Sequence, residues 1–221
     1  MRNQGLTNAE IMSYVDHTLL KAAADWGSIQ TLCDEAVQYG AASVCIPPSY
    51  VARVKDTYGD KLVICTVAGF PLGYSVTEAK AAEARQALSE GASEIDMVVN
   101  LGDVKNENFS AVSAEITRIK EVCGGYVLKV IVETCYLTEE EKIALCHCVT
   151  EGGADYIKTS TGFGSAGAAL DDVRLFQKHL GSGLKIKAAG GIRTKEDLVA
   201  FIEAGCGRVG ASSAVAVLFG G

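Results

Sequence analysis

The chain has 221 residues, with 27 Asp and Glu against 20 Lys and Arg, a formal net charge of −7, 24 Gly, 3 Pro and an apolar fraction of 48%. That balance describes a globular chain with a large core and argues against disorder, and without any basic run or aromatic-interleaved basic patch it argues against a nucleic-acid surface. No apolar run is long enough to span a bilayer, and Met1-Arg-Asn-Gln-Gly-Leu-Thr-Asn8 lacks the apolar core of a secretory leader, so a cytoplasmic protein without membrane partners is expected.

In chain order, β-rich runs are expected at Tyr14 to Thr18, Ser43 to Ile46, Leu62 to Val67, Glu94 to Val99, Val127 to Val132, Tyr156 to Lys158, Leu184 to Ala188 and Arg208 to Gly210. Between them lie helical patterns at Gly27 to Tyr39, Thr77 to Glu90, Ala111 to Val122, Glu139 to Thr150, Asp171 to Leu180 and Lys195 to Ala204, many opened by Ser, Thr or Asp. Strands separated by helices pair in parallel. A weak repeat places a helix-ending glycine before alternate strands, at Gly40-Ala-Ala-Ser-Val-Cys-Ile46, Gly91-Ala-Ser-Glu-Ile-Asp-Met97, Gly153-Ala-Asp-Tyr-Ile-Lys158 and Gly205-Cys-Gly-Arg-Val-Gly210. With no linker and no Gly-x-Gly-x-x-Gly opening the first unit, a single (β/α)8 TIM barrel over residues 1–221 is favoured over an open doubly wound sheet.

Lysine is out of place in two of these strands. Lys158 ends an apolar run and is followed by the hydroxyl-rich Thr159-Ser160-Thr161-Gly162, and Lys187 sits in Lys185-Ile-Lys-Ala-Ala-Gly-Gly-Ile-Arg193. Burial disfavours an ammonium and frees an amine to attack a carbonyl, whereas a lysine that reaches solvent from a strand end has no chemical role. In a barrel the C-terminal strand ends converge on one mouth, which collects Asp16, His17, Cys45, Asp96, Asn100, Lys129, Glu133, Lys158 and Lys187. The period of two puts Asp96, Val98 and Asn100 on one face, as it does Lys129, Ile131 and Glu133. Two arrangements satisfy these charges. In a structural one, Asp96 neutralises Lys187 and Glu133 neutralises Lys129. In a catalytic one, one lysine attacks while the second shuttles protons with Asp96.

A second constellation lies at the ends of the sixth, seventh and eighth strands: Thr161 and Gly162, then Gly190, Gly191 and Arg193, then Gly210, Ser212 and Ser213. Glycines admit close approach to backbone N–H groups, the hydroxyls and Arg193 add donors, and a helix start follows Ser213, so a phosphate is expected there. Metal catalysis is not expected, because the three histidines, His17, His147 and His179, fall on a strand and two separate helices; His17 is read as structural. Most of the eight cysteines are read as free core thiols, and Cys146-His-Cys148 is read as packing, since adjacent helical side chains diverge.

At these residues the chain closely resembles the deoxyribose-phosphate aldolase family, class I aldolases with a (β/α)8 barrel. The resemblance runs over nearly the whole chain, through Asp16-His-Thr-Leu-Leu-Lys21, Val44-Cys-Ile-Pro-Pro48, Gly69-Phe-Pro-Leu-Gly73, Glu94-Ile-Asp-Met-Val-Val-Asn100, Leu128-Lys-Val-Ile-Val-Glu-Thr134, Tyr156-Ile-Lys-Thr-Ser-Thr-Gly-Phe163, Lys187-Ala-Ala-Gly-Gly-Ile-Arg193 and Gly210-Ala-Ser-Ser213. It implies that Lys158 forms the Schiff base, that Lys187 and Asp96 tune it and relay protons, and that Asp16 and Cys45 stand on the substrate side of the pocket. The implied reaction, part of deoxyribose catabolism, is reversible cleavage of 2-deoxy-D-ribose 5-phosphate to D-glyceraldehyde 3-phosphate and acetaldehyde. A protonated imine is an electron sink, so no cofactor or metal is expected.

Two departures stand out: longer members end in a tyrosine-bearing tail where this chain ends Leu218-Phe-Gly-Gly221, and some carry a lysine where this chain has Phe163. A tail contribution to proton transfer is therefore expected to be absent or supplied otherwise. Another Schiff-base phosphosugar aldolase or transaldolase would share Lys158, and a non-catalytic phosphosugar-binding barrel would keep the glycine loops alone. The outer helices offer the surface for a homodimer or homotetramer.

Overall fold

Each short apolar run is followed by a helical segment too long for a hairpin, which leaves parallel pairing as the only outcome. The computed structural model, which describes residues 5–220, has eight such strands: β1 Val15–Thr18, β2 Ser43–Cys45, β3 Ile64–Ala68, β4 Glu94–Val98, β5 Val127–Ile131, β6 Tyr156–Lys158, β7 Lys185–Ala189 and β8 Arg208–Ala211. They pair in sequence order, and β8 returns to β1 with Gly210 opposite Asp16, closing the barrel. The helices are α1 Asn8–Met12, α2 Trp26–Tyr39, α3 Val51–Tyr58, α4 Thr77–Ser89, α5 Leu101–Lys105, α6 Phe109–Cys123, α7 Glu139–Glu151, α8 Leu170–His179, α9 Lys195–Glu203 and α10 Ala214–Phe219. The expected boundary 1–221 and the terminal segments read above take in Met1–Gln4 and Gly221, which lie outside the described residues.

All eight expected strands form. The third starts at Ile64, two residues later than expected, and the seventh and eighth run one residue further, to Ala189 and Ala211. Helices α1, α3 and α5 had no counterpart among the expected elements. They span five, eight and five residues, too few turns to display a 3.6-residue period. Where the caps were legible they work as the sequence implies: Thr138 and Glu141 form a capping box on α7, and Thr194 and Asp197 do so on α9. The four repeat glycines all take positive φ, from 70° at Gly40 and Gly153 to 108° at Gly91, so each reverses the chain from a helix into an even-numbered strand.

Two cores follow from the alternation of strand side chains. Outward residues such as Val44, Ile95, Met97, Val130, Ile157, Ile186 and Val209 are buried against the helices. Inward residues include Cys45, Cys65 and Val67 on one side and Asp96, Lys129, Lys158 and Lys187 on the other, all buried. The barrel therefore has an apolar shell around an interior that is ionic over much of its circumference. Among the described residues, no helix is long and apolar enough to cross a membrane.

Candidate active site

Three inward lysines on successive strands share one carboxylate. The Lys158 and Lys187 ammonium groups donate to Asp96 Oδ2 at 2.7 and 2.6 Å, and Lys129 donates to Oδ1 at 2.9 Å. The Cys65 thiol lies 3.1 Å from the same Oδ1. Register explains the convergence, because Asp96 is level with Lys129, and Lys158 with Lys187. Asp16, across the barrel on β1, stands 2.5 Å from Lys187 Nζ through Oδ2, an ion contact without hydrogen-bond directionality, and 3.5 Å from Lys129. Below them Lys129 meets Glu94 at 2.6 Å. Arg208 reaches from β8 to Asp16 at 2.7 Å and grips both Glu94 oxygens at 3.0 and 3.1 Å.

Burial alone would protonate these carboxylates and strip the lysines of charge, yet the mutual attraction is larger. Desolvation pushes Asp96 up, but Lys129, Lys158 and Lys187 together hold it well below the usual carboxylate range. Asp16 is likewise held low, by Lys187, Lys129 and Arg208 against the burial effect. Desolvation pulls Lys187 and Lys129 down, and the facing carboxylates raise both above an ordinary lysine, so each is a fixed cation. Among the described residues, Lys158 has Asp96 as its sole carboxylate contact. The Cys65 thiol is pushed well up by burial, and its hydrogen bond lowers that of Cys45.

Above this network a cavity of about 610 Å³ opens at the C-terminal strand ends. Of the network, only Lys158 lines it. The loops after β6, β7 and β8 supply Thr161 and Gly162, then Gly190, Gly191 and Arg193, then Ser212 and Ser213, with Gly210 at the end of β8. Every residue expected to surround a phosphate therefore faces the same space as Lys158. Gly210 also serves the network, since a Cβ there would stand 3.3 Å from Lys187 Cε and 3.1 Å from Ala189 Cβ. Asp16, Cys45, Asp96 and Lys187 are not part of the lining and lie fully buried beneath it.

The structure departs from the sequence reading at Glu133. Instead of neutralising Lys129, it accepts hydrogen bonds from the Thr161 backbone N–H at 3.0 Å and from the Thr161 hydroxyl, buttressing the loop after β6. Its φ of 53° ends the strand periodicity before residue 133, so the face assigned to it does not exist. His17 points away from the interior and pairs with Glu35 of α2 at 2.7 Å. Two donor clusters, Cys45 with Cys65 and Asp96, and Asp16 with Cys65 and Glu94, are close enough to share an ion, but their carboxylates are already taken by lysines and Arg208.

Four contributors were not singled out from sequence. Glu94 and Arg208 open their strands, where charges ordinarily face solvent, and nothing short of closing the barrel brings β4 and β8 together. Lys21, in the loop after β1, lines the cavity, and its place in the Asp16–Lys21 motif was the available signal. Cys65 looked like any core thiol. Phe163, noted as a departure, lines the cavity and meets Phe70 edge-on, with ring centroids 5.4 Å apart.

Residues 10–218 match the model of a family described as DeoC/LacD family aldolase. A deoxyribose-phosphate aldolase of Clostridium botulinum is 61% identical over 97% of both chains, and one of Clostridioides difficile is 53% identical over 94% of this chain and 95% of its own. The solved tetrameric deoxyribose phosphate aldolase of Aeropyrum pernix superposes with a TM-score of 0.89 at 32% identity, covering 96% of this chain and 91% of that one. The chain belongs to the DeoC/LacD family of aldolases.

Proposed function

We propose that this protein is a class I aldolase that reversibly cleaves 2-deoxy-D-ribose 5-phosphate to D-glyceraldehyde 3-phosphate and acetaldehyde in the cytoplasm. One observation carries the reading: Lys158 is the single amine of a buried ionic network that opens onto a cavity, and that cavity is ringed by glycine and hydroxyl loops suited to a phosphate.

The free amine of Lys158 adds to the C1 carbonyl, and loss of water gives a protonated imine. Removal of the C3 hydroxyl proton lets the C2–C3 bond break, with its electron pair passing into the imine to leave an enamine, and glyceraldehyde 3-phosphate departs as the aldehyde. Protonation of the enamine at C2 and hydrolysis then release acetaldehyde and regenerate the amine. Asp96 Oδ2 accepts from both Lys158 and Lys187, so Lys187, held charged by Asp16 and Asp96, tunes the nucleophile from beneath the cavity and is assigned the proton relay through Asp96. Gly190, Gly191, Ser212 and Ser213, with Arg193 and Lys21, hold the phosphate and fix the distance from C1 to C5. We assign no cofactor or metal to the reaction, and a homo-oligomer, dimer or tetramer, as the working form.

Borohydride trapping with acetaldehyde followed by peptide mass spectrometry tests this. An ethyl group on Lys158 that is missing from Lys158→Ala, together with loss of glyceraldehyde 3-phosphate release by at least about four orders of magnitude, is the expected result. No adduct on any lysine would leave a phosphosugar-binding barrel, and a ketone donor preferred over acetaldehyde would indicate a transaldolase-like activity.

A further inference from the structure

Beneath Lys158 and the buried lysines beside it lies a layer of charge without contact to the cavity. Arg208 Nη1 donates to Asp16 Oδ1 and Glu94 Oε2, and its Nη2 donates to Glu94 Oε1. Glu94 in turn pairs with Lys129. Taken whole, the interior sets four basic groups, Lys129, Lys158, Lys187 and Arg208, against three carboxylates, Asp16, Glu94 and Asp96.

The basic groups share those carboxylates unequally. Lys129 reaches all three, while Lys187 and Arg208 reach two each. Lys158 reaches one, and it shares the same oxygen with Lys187. With every group ionised, the seven groups carry one positive charge too many; six of them are buried, and Arg208 at the barrel floor is 17% exposed, so part of its charge is screened. Of the four, Lys158 holds the fewest ion contacts and is the one that opens onto the cavity. A guanidinium does not give up its proton in proteins, so Arg208 supplies a charge that the lysines cannot relieve by deprotonating it.

We propose that Arg208 and Glu94 are opposed positioning residues for Schiff-base formation, Arg208 driving Lys158 to the free amine and Glu94 restraining it, although neither lines the cavity. The other groups around Lys158 are accounted for. The Cys65 thiol is engaged with Asp96 and Lys129, Cys45 is buried beside it, and Glu133 beyond β5 is engaged with Thr161. Lys21 and Arg193 stand at the cavity mouth, and Lys185 lies over the Tyr156 ring at the lower end. None of these contributes to the imbalance through a direct contact with the floor pair.

The proposal rests on Lys158 being the nucleophile, and the experiment separates the two ideas. The pH dependence of the borohydride-trapping rate on Lys158, with acetaldehyde as the probe, is measured for the parent, Arg208→Gln, Glu94→Gln, the double variant and Arg208→Lys, with circular dichroism and thermal melting as fold controls. Arg208→Gln is expected to move the rising limb upward by about half to one pH unit, and Glu94→Gln to move it downward by a similar amount. The double variant should return close to the parent, and Arg208→Lys, which keeps the charge, should stay there.

Residues that only brace the barrel would slow both single variants at every pH without moving the limb in opposite directions. Equal or absent shifts in folded variants overturn the proposal and leave the aldolase assignment standing. If Arg208→Gln does not fold, the downward shift of Glu94→Gln and the unmoved profile of Arg208→Lys still decide it, and either one failing overturns it. No adduct on Lys158 in the parent overturns both.

Discussion

Two sets of buried ion pairs in this protein behave in opposite ways. On the helical shell, Lys80 of α4 is fully buried against Glu115 of α6 at 2.8 Å and also donates to the Val98 carbonyl. Burial wins there: desolvation lowers Lys80 and raises Glu115 in spite of their attraction. Inside the barrel the attraction wins, raising Lys187 and lowering Asp96 against the same penalty. Lys80 faces one carboxylate, and Lys187 faces two that other cations also hold. Burial therefore does not decide the charge of a lysine by itself; the number of countercharges and their sharing decide it. Lys158 lies inside the network with a single carboxylate contact, through an oxygen it shares with Lys187.

The largest effect on this contrast should come from Asp96→Asn. It removes the anion common to Lys129, Lys158 and Lys187, so a loss of about 3–5 kcal/mol in urea unfolding and of essentially all aldol cleavage is expected. Full activity in that variant would remove Asp96 from the mechanism. Next comes Lys187→Ala, which takes away the fixed cation beside Lys158. Trapping at neutral pH should fall by about 10²-fold and recover as pH rises, whereas a profile parallel to the parent's would show that Lys187 does not tune the amine.

A smaller change is expected on the shell. Because desolvation already outweighs attraction between Lys80 and Glu115, the double variant Lys80→Met/Glu115→Leu should be neutral or up to about 2 kcal/mol more stable, with unchanged cleavage. Clear destabilisation would mean that the contact with the Val98 carbonyl matters more than the pair.

The smallest effect is in mild acid. Asp16 and Asp96 are depressed in the folded state, so their stabilisation is complete above the ordinary carboxylate value of about 4 and is lost as pH falls below it. Glu115 is raised and works with the opposite sign, gaining its proton first. The urea midpoint should therefore hold nearly level from pH 6 to 5 and begin to drop near pH 4; a steep decline already at pH 6 would contradict that sign.

The sequence disclosed the parts of this molecule that repeat. Eight short β-rich runs separated by helical patterns located the strands, and lysines at 158 and 187 stood out because apolar runs rarely contain them. The three loops around the cavity were recognisable from glycine and hydroxyl content. What escaped depends on closure or on a single dihedral. Glu94 and Arg208 look like solvated strand ends until β4 and β8 face one another across the interior. By spacing alone Glu133 continues the face of Lys129, but its left-handed backbone turns it toward Thr161. Lys80 sits in Thr77-Glu-Ala-Lys-Ala-Ala, which reads as a solvated helix, and only packing against α6 and the end of β4 reveals it as interior.

The register that seats Gly210 beside Asp16 has a consequence for how the site is assembled. Six of the eight strands, β1 and β4 to β8, give a charged group to one interior network, and Arg208 rides on the strand synthesised after all the others. Asp16 on the first strand and Glu94 on the fourth therefore share a guanidinium that only the last strand brings, so the site is complete only in the closed barrel.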